Sequence, residues 1–265
     1  MTDSMNRMAA MTARYYYLLR SSWLRLLELV YWPAMQMLVW GFLYTYLYDS
    51  KSSMASTGGM LLGAVLLWDV LFRGQLGFSF TFLEEIWSRN LANLMMSPLK
   101  PAELAASLML MSLIRLLIGT IPVTVLVWAL FGFNIYALGF GLIAFFINLV
   151  LTSWAIGLVV SGMIIRQGLG AESLAYSIMI LLLPLCCVYY PVWVLPVWLQ
   201  PLAWSLTPTY VFEGMRAILI DGVLRTDLIV ECFALNFVYL GLGFTTFMLL
   251  LRSARHKGVL LTMGE

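Results

Sequence analysis

Apolar positions run almost without interruption through most of this chain, and the polar ones are gathered into short breaks. The longest apolar run, Leu116 to Ile165, holds fifty residues without an Asp, Glu, Lys or Arg. A bilayer core of about 30 Å takes about 20 apolar helical residues to cross. That run therefore predicts two crossings, Leu104–Leu130 and Leu138–Ile165, joined by a turn at Phe131-Gly132-Phe133-Asn134-Ile135-Tyr136. The same pattern predicts spans at Leu29–Tyr48, Met60–Phe82, Ser173–Tyr189 and Glu231–Leu251, which makes six in all. The predicted fold class is all-α integral membrane.

Composition agrees. Apolar residues are 62% of the chain and charged ones 11%, against about 25% charged in a soluble domain. The 265 residues suit one membrane domain, 1–265, with no separate soluble domain. The net charge of +2 matters less than where the charges fall. Arg7, Arg14, Arg20, Arg25, Arg89, Lys100, Arg166, Arg252, Arg255 and Lys257 flank one side of the predicted spans; Lys51, Arg216 and Arg225 flank the other. The positive-inside rule then puts both termini in the cytoplasm. The N-terminus does not read as a cleavable signal, because arginines continue to Arg25 and no small-residue cleavage site follows a short apolar stretch. Cys186, Cys187 and Cys232 lack zinc-like spacing. They read as small core residues, with a vicinal disulfide or a soft-metal site as the alternative.

Four connecting segments carry further expectations. Over Met5–Leu26, Met8, Tyr15, Leu19, Trp23 and Leu26 share one helical face and Arg7, Arg14 and Arg25 an adjacent one, the pattern of a helix lying in the interface. Glu84–Pro98 is helical in character, mixed in charge and stopped by Pro98 and Pro101, and it suits either docking on a soluble partner or a solvated connection. Arg166–Glu172 is short and has two glycines, but not the spacing of a phosphate-binding loop; it reads as a tight turn, with a second, smaller docking point as the alternative. Tyr189–Asp221 is apolar yet interrupted by Pro191, Pro196, Pro201 and Pro208. It predicts two short helices, Val197–Leu206 and Thr209–Ile220, that enter the membrane and return beneath an aromatic belt. The alternative is a hydrophobic loop resting on the outer interface.

Charges inside the spans are costly and tend to pair. Asp69 and Arg73 are four apart in the second span, so they lie on one helix face. Arg115 has no local partner and is a candidate to complete a network with Asp69; the alternative for all three is snorkelling to an interface. Glu213 and Arg216, three apart, can pair in the same way.

Two stretches carry a family resemblance. E-E-I-W-S-R-N-L-A-N-L-M-M-S-P-L-K-P-A-E-L-A-A, Glu84 to Ala106, resembles the signature of ABC-2 type exporter permeases: a charged segment after the second span, a leucine-rich stretch, then Ser-Pro-Leu. Y-P-V-W-V-L-P-V-W-L-Q-P-L-A-W-S-L-T-P-T-Y-V-F-E-G-M-R, Tyr190 to Arg216, is similar to the family's aromatic-Pro start and Leu-Gln-Pro before Met-Arg. Length, six spans and the N-terminal interfacial helix fit as well. The resemblance implies a permease subunit of an ATP-driven exporter in a bacterial inner membrane, moving an amphiphilic or lipid-linked substrate. It implies a second permease copy in a homodimer, two ABC nucleotide-binding ATPase subunits that hold ATP and Mg, and surrounding membrane lipid, with no nucleic acid and no cofactor or catalytic residue in this chain. It makes 84–98 the coupling helix, with Glu84, Glu85, Trp87 and Arg89 contacting the ATPase. It makes 190–220 the re-entrant outer gate, with Tyr190, Pro191, Trp193, Pro196, Glu213 and Arg216.

The chain has no Gly-x-x-x-x-Gly-Lys-Ser/Thr run and so is not the ATPase. A secondary transporter or channel acting without an ATPase would call for polar residues along several spans or an inverted repeat. A membrane enzyme would call for paired carboxylates or a histidine cluster, whereas His256 stands alone in a basic tail.

Overall fold

The computed structural model describes residues 2–49, 55–167 and 172–256. Lys51, the glycines of the predicted tight turn at 168 and 170, and Lys257 lie outside the described residues. Among those described the chain is helical and forms no strand. Its helices are α1 (Thr2–Arg20), α2 (Trp23–Asp49), α3 (Ala55–Trp87), α4 (Leu91–Met96), α5 (Pro101–Phe131), α6 (Phe140–Gln167), α7 (Glu172–Leu185), α8 (Gln200–Ser205), α9 (Thr207–Arg216) and α10 (Thr226–His256). Among the described residues, five stretches, within α2, α3, α5, α6 and α10, are long and apolar enough to cross a membrane.

Local chemistry sets the helix ends. Pro101 opens α5, where its missing N–H costs nothing, and the Glu103 carboxylate accepts the Lys100 N–H at 3.0 Å. Gly132, at φ 66°, ends α5 in the left-handed conformation that glycine adopts freely. Asn134 then accepts the Tyr136 N–H at 3.0 Å and starts a 3₁₀ turn, Ile135–Leu138, so the predicted turn falls between α5 and α6.

α3 is the central helix, packed by α2, α5, α6 and α7 and 83% buried over its apolar window. α10 packs on α6 and α9. The apolar windows of α2 and α10 are each only 22% buried, so both present outward faces made for hydrocarbon or for another chain.

Three expected boundaries shift. The interfacial helix predicted over Met5–Leu26 is broken at Ser21–Ser22, so Trp23 and Leu26 begin α2 instead of completing the face of α1. The helix predicted over Glu84–Pro98 is broken at Ser88–Asn90: Glu84–Trp87 is the last turn of α3, and only Leu91–Met96 forms a further short helix. The fifth predicted span is helical only over Glu172–Leu185. Its 14 residues rise about 21 Å at about 1.5 Å per residue. Tyr176, near its start, lies 5.7 Å from Phe80, toward the C-terminal end of α3. Tyr189, beyond its end, stacks at 5.2 Å on Trp40, toward the C-terminal end of α2. The rest of that passage is therefore made by irregular chain.

Candidate functional site

At the α1 end of the bundle, four arginines converge on three glutamates. Arg7 Nη2 lies 2.6 Å from Glu103 Oε1, at the start of α5. Arg14 donates from both terminal nitrogens to Glu85, at 2.8 and 3.2 Å. Arg115 of α5 reaches Glu84 at 2.9 Å, and Arg25 of α2 lies 3.7 Å from the same carboxylate. This corrects the expectation for Arg115, which pairs with Glu84 and not with Asp69. The hydrogen bond to Glu103 raises the pKa of Arg7 above the ordinary guanidinium value. Burial pushes the neighbouring Tyr15 phenol well above its own. Tyr15 and Leu19 sink into the core beside Phe82 and Leu83, so α1 is clamped to the bundle by its apolar face and its arginines together.

The clamp turns the acidic pair inward. The Glu85 side chain is 2% exposed and also accepts the Asn90 Nδ2–H at 2.8 Å. The chain then reverses through Arg89 at φ 53°, with the Arg89 N–H on Ile86 O and the Asn90 N–H on Glu85 O, both at 2.9 Å. What faces outward is Trp87, Ser88, Arg89, Asn93 and Met96. Of the four residues expected on the docking surface, Trp87 and Arg89 are exposed, and Glu84 and Glu85 stand behind them as anchors.

In the middle of α3, Arg73 Nε donates to Asp69 Oδ2 at 2.6 Å, and Asp69 is almost fully buried. Removing one partner of a buried pair costs about 3–5 kcal/mol. Asp69→Asn and Arg73→Gln are each expected to lower the folded yield, and the double substitution to lower it by less than their sum. A double-mutant cycle on detergent melting temperature checks this; additive losses would mean that the two charges act independently.

At the opposite end, the 186–221 segment folds as a 3₁₀ turn (Val192–Val194), α8, α9 and a single π turn (Ala217–Asp221). The two predicted short helices correspond to α8 and α9. Arg216, 6% exposed, is the hub. Its guanidinium donates to the carbonyls of Cys187, of Val188 at 3.3 Å and of Tyr190 at 2.7 Å. Glu213 lies 3.2 Å from Arg216 and accepts the Val192 N–H at 2.8 Å. The pair thus fastens the 187–192 loop onto α9, and Cys187 is held there at φ 53°. Tyr190 donates to Pro184 O at 2.7 Å. Trp193 and Trp198 stand almost fully exposed at the tip, beyond Pro191 and Pro196. Cys186 and Cys187 are buried free thiols.

The family model for ABC-2 type transporters matches residues 13–220 of the 265, from within α1 through the outer segment. The chain belongs to the ABC-2 type transporter family. Comparison with curated proteins gives no match. The protein is a multi-pass membrane permease subunit of an ABC transporter.

This ABC-2 permease also contains a polar seam that hydropathy did not reveal. Asn236 of α10 donates to Asn148 of α6, to its backbone O at 3.0 Å and to Oδ1 at 2.9 Å. Thr152 lies 2.8 Å from Asn236 Oδ1 and shares a 2.8 Å hydrogen bond with Thr207 at the start of α9. The Cys232 thiol donates to Thr207 O at 3.3 Å. All five residues are buried. The seam ties α9, the deepest part of the outer segment, to two spanning helices. Lone amides inside apolar spans were its only signal, since such groups need partners away from water.

Proposed function

We propose that this permease works in an ATP-driven exporter of an amphiphilic or lipid-linked substrate. Two copies form the pathway, and a separate ABC ATPase subunit, carrying ATP and Mg, docks on each. The termini and the Trp87–Lys100 loop lie on the cytoplasmic side of a bacterial inner membrane, and the 190–220 segment gates the exit on the other side. Residues 1–265 act as one permease domain.

The observation that carries this reading is the exposed Trp87-to-Met96 surface backed by the arginine–glutamate clamp, in a chain that belongs to the ABC-2 family. A docking loop transmits force only if its base is rigid, and here Glu84 and Glu85 bind three other helices. Trp and Arg are the side chains that most often dominate protein interfaces. An apolar, aromatic outer segment whose two charges, Glu213 and Arg216, pair with each other suits an amphiphile's exit better than a hydrophilic pore. The positive-inside asymmetry supports the orientation.

Affinity purification of the tagged permease should retain an ABC ATPase. Trp87→Asp with Met96→Asp should weaken that complex at least tenfold, about 1.4 kcal/mol, while the permease keeps its melting temperature. An ATPase that stays bound with unchanged affinity and turnover would exclude this docking surface. A chain that transports with no ATPase present would exclude the whole reading.

A further inference from the structure

A cavity of about 230 Å³ lies where α7 and α10 diverge over α6. α7 packs on α3 and α6, and α10 packs on α6 and α9, so the crevice between them has α6 as its floor and the start of α9 as its end wall. Val159, Ile178, Leu182 and Leu242 line it, with Thr152 and Thr207 at one end. Tyr239, Leu242 and Thr246 fall midway along α10, so the cavity sits near the middle depth of the bilayer.

A buried water needs two to four polar partners. Three of the four lining hydroxyls are engaged, Thr152 and Thr207 in the seam and Tyr239 on Ser205 O at 2.6 Å, which leaves Thr246 alone, short of the partners a water needs. An empty apolar void is costly, because its walls lose dispersion contacts. The space exceeds the roughly 150 Å³ of an apolar cavity that holds benzene. The rims are exposed apolar residues, Leu181 of α7 and Val238 and Leu242 of α10, which in a membrane meet acyl chains.

We propose that this cavity is a lipid site that takes the acyl chain of a bilayer phospholipid, lodged between α7 and α10 against the polar seam. The ligand inserts hydrocarbon only, and its headgroup stays at the membrane surface. The site lies against α9, so an occupied cavity braces the outer segment.

The test is photolabelling of the full-length permease in nanodiscs made only of synthetic phosphatidylethanolamine and phosphatidylglycerol. The discs contain a trace of phospholipid bearing a diazirine in the distal half of one chain. No exported substrate is present, so any adduct comes from bilayer lipid. Adducts on 152–160 and 239–246 should exceed those on the outward face of α2 severalfold. Val159→Phe and Thr246→Phe, which fill the cavity, should bring them to the α2 level without changing labelling elsewhere. Val159→Ala, which enlarges it, should raise them and keeps the test decisive if the filling variants fold poorly. Cavity labelling equal to that of α2, or unaltered by all three variants, would overturn the proposal. So would absent labelling with a disulfide between copies carrying cysteine at Leu242, which would make the occupant a second permease.

Discussion

Arg216→Ala is expected to abolish most of the folded permease. The buried guanidinium serves the carbonyls of Cys187, Val188 and Tyr190 and balances Glu213, which is itself half-buried. Its removal leaves those carbonyls without their charged donor and a carboxylate without its partner. Each loss is severe on its own: breaking a buried charge pair costs about 3–5 kcal/mol, and an unsatisfied buried polar group about 1–3 kcal/mol. The sum is a large fraction of the stability of an ordinary domain. Fluorescence-detected size exclusion of tagged variants measures the outcome. Arg216→Lys should recover part of the yield, because an ammonium has three donors but lacks the planar fork. A monodisperse Arg216→Ala protein at wild-type yield would show that the 187–192 loop holds its place without this hub.

The second large effect is expected at Arg14. Its partner Glu85 is almost wholly buried, whereas Arg14 is 37% exposed, so the two substitutions are not equivalent. Arg14→Ala strands a buried carboxylate with Asn90 as its remaining side-chain donor, at a cost approaching the roughly 3–5 kcal/mol of a broken buried pair. Pairing Arg14→Gln with Glu85→Gln removes the charge from both sides and should recover much of the loss. The first visible consequence should be local: α1 lifts off before the spans melt. Limited trypsin digestion should then cut at Arg20, beside the Ser21–Ser22 break, severalfold faster in Arg14→Ala than in the wild type. Equal cleavage rates would mean that Tyr15 and Leu19 hold α1 unaided.

Local patterns were legible in the sequence and distant pairings were not. Hydropathy located the long helices, because a span is a continuous local signal. The spacings of Asp69 with Arg73 and of Glu213 with Arg216 placed each pair on one helix face, and both lie within ion-pair distance. Arg14 and Glu85 are separated by 71 residues, Arg115 and Glu84 by 31, and Asn236 and Asn148 by 88. No periodicity links such partners; only the fold brings them together. The break at Arg89 escaped for another reason. A left-handed residue that ends a helix is usually glycine or asparagine, and nothing in the sequence marks an arginine for that conformation. The fifth predicted span was read too long because its apolar character outlasts its helix, which ends at Leu185, one residue after Pro184.

The shortness of α7 also bears on the membrane. α5 has 31 residues and α7 has 14, so the two walls of one permease differ more than twofold in helical height. Beyond Leu185 the passage is finished by irregular chain, whose backbone groups must find partners within the protein, because hydrocarbon offers none. On the α7 side the fold therefore relies on Arg216 and Glu213, which bond the 187–192 backbone, in place of a helix's own hydrogen bonds.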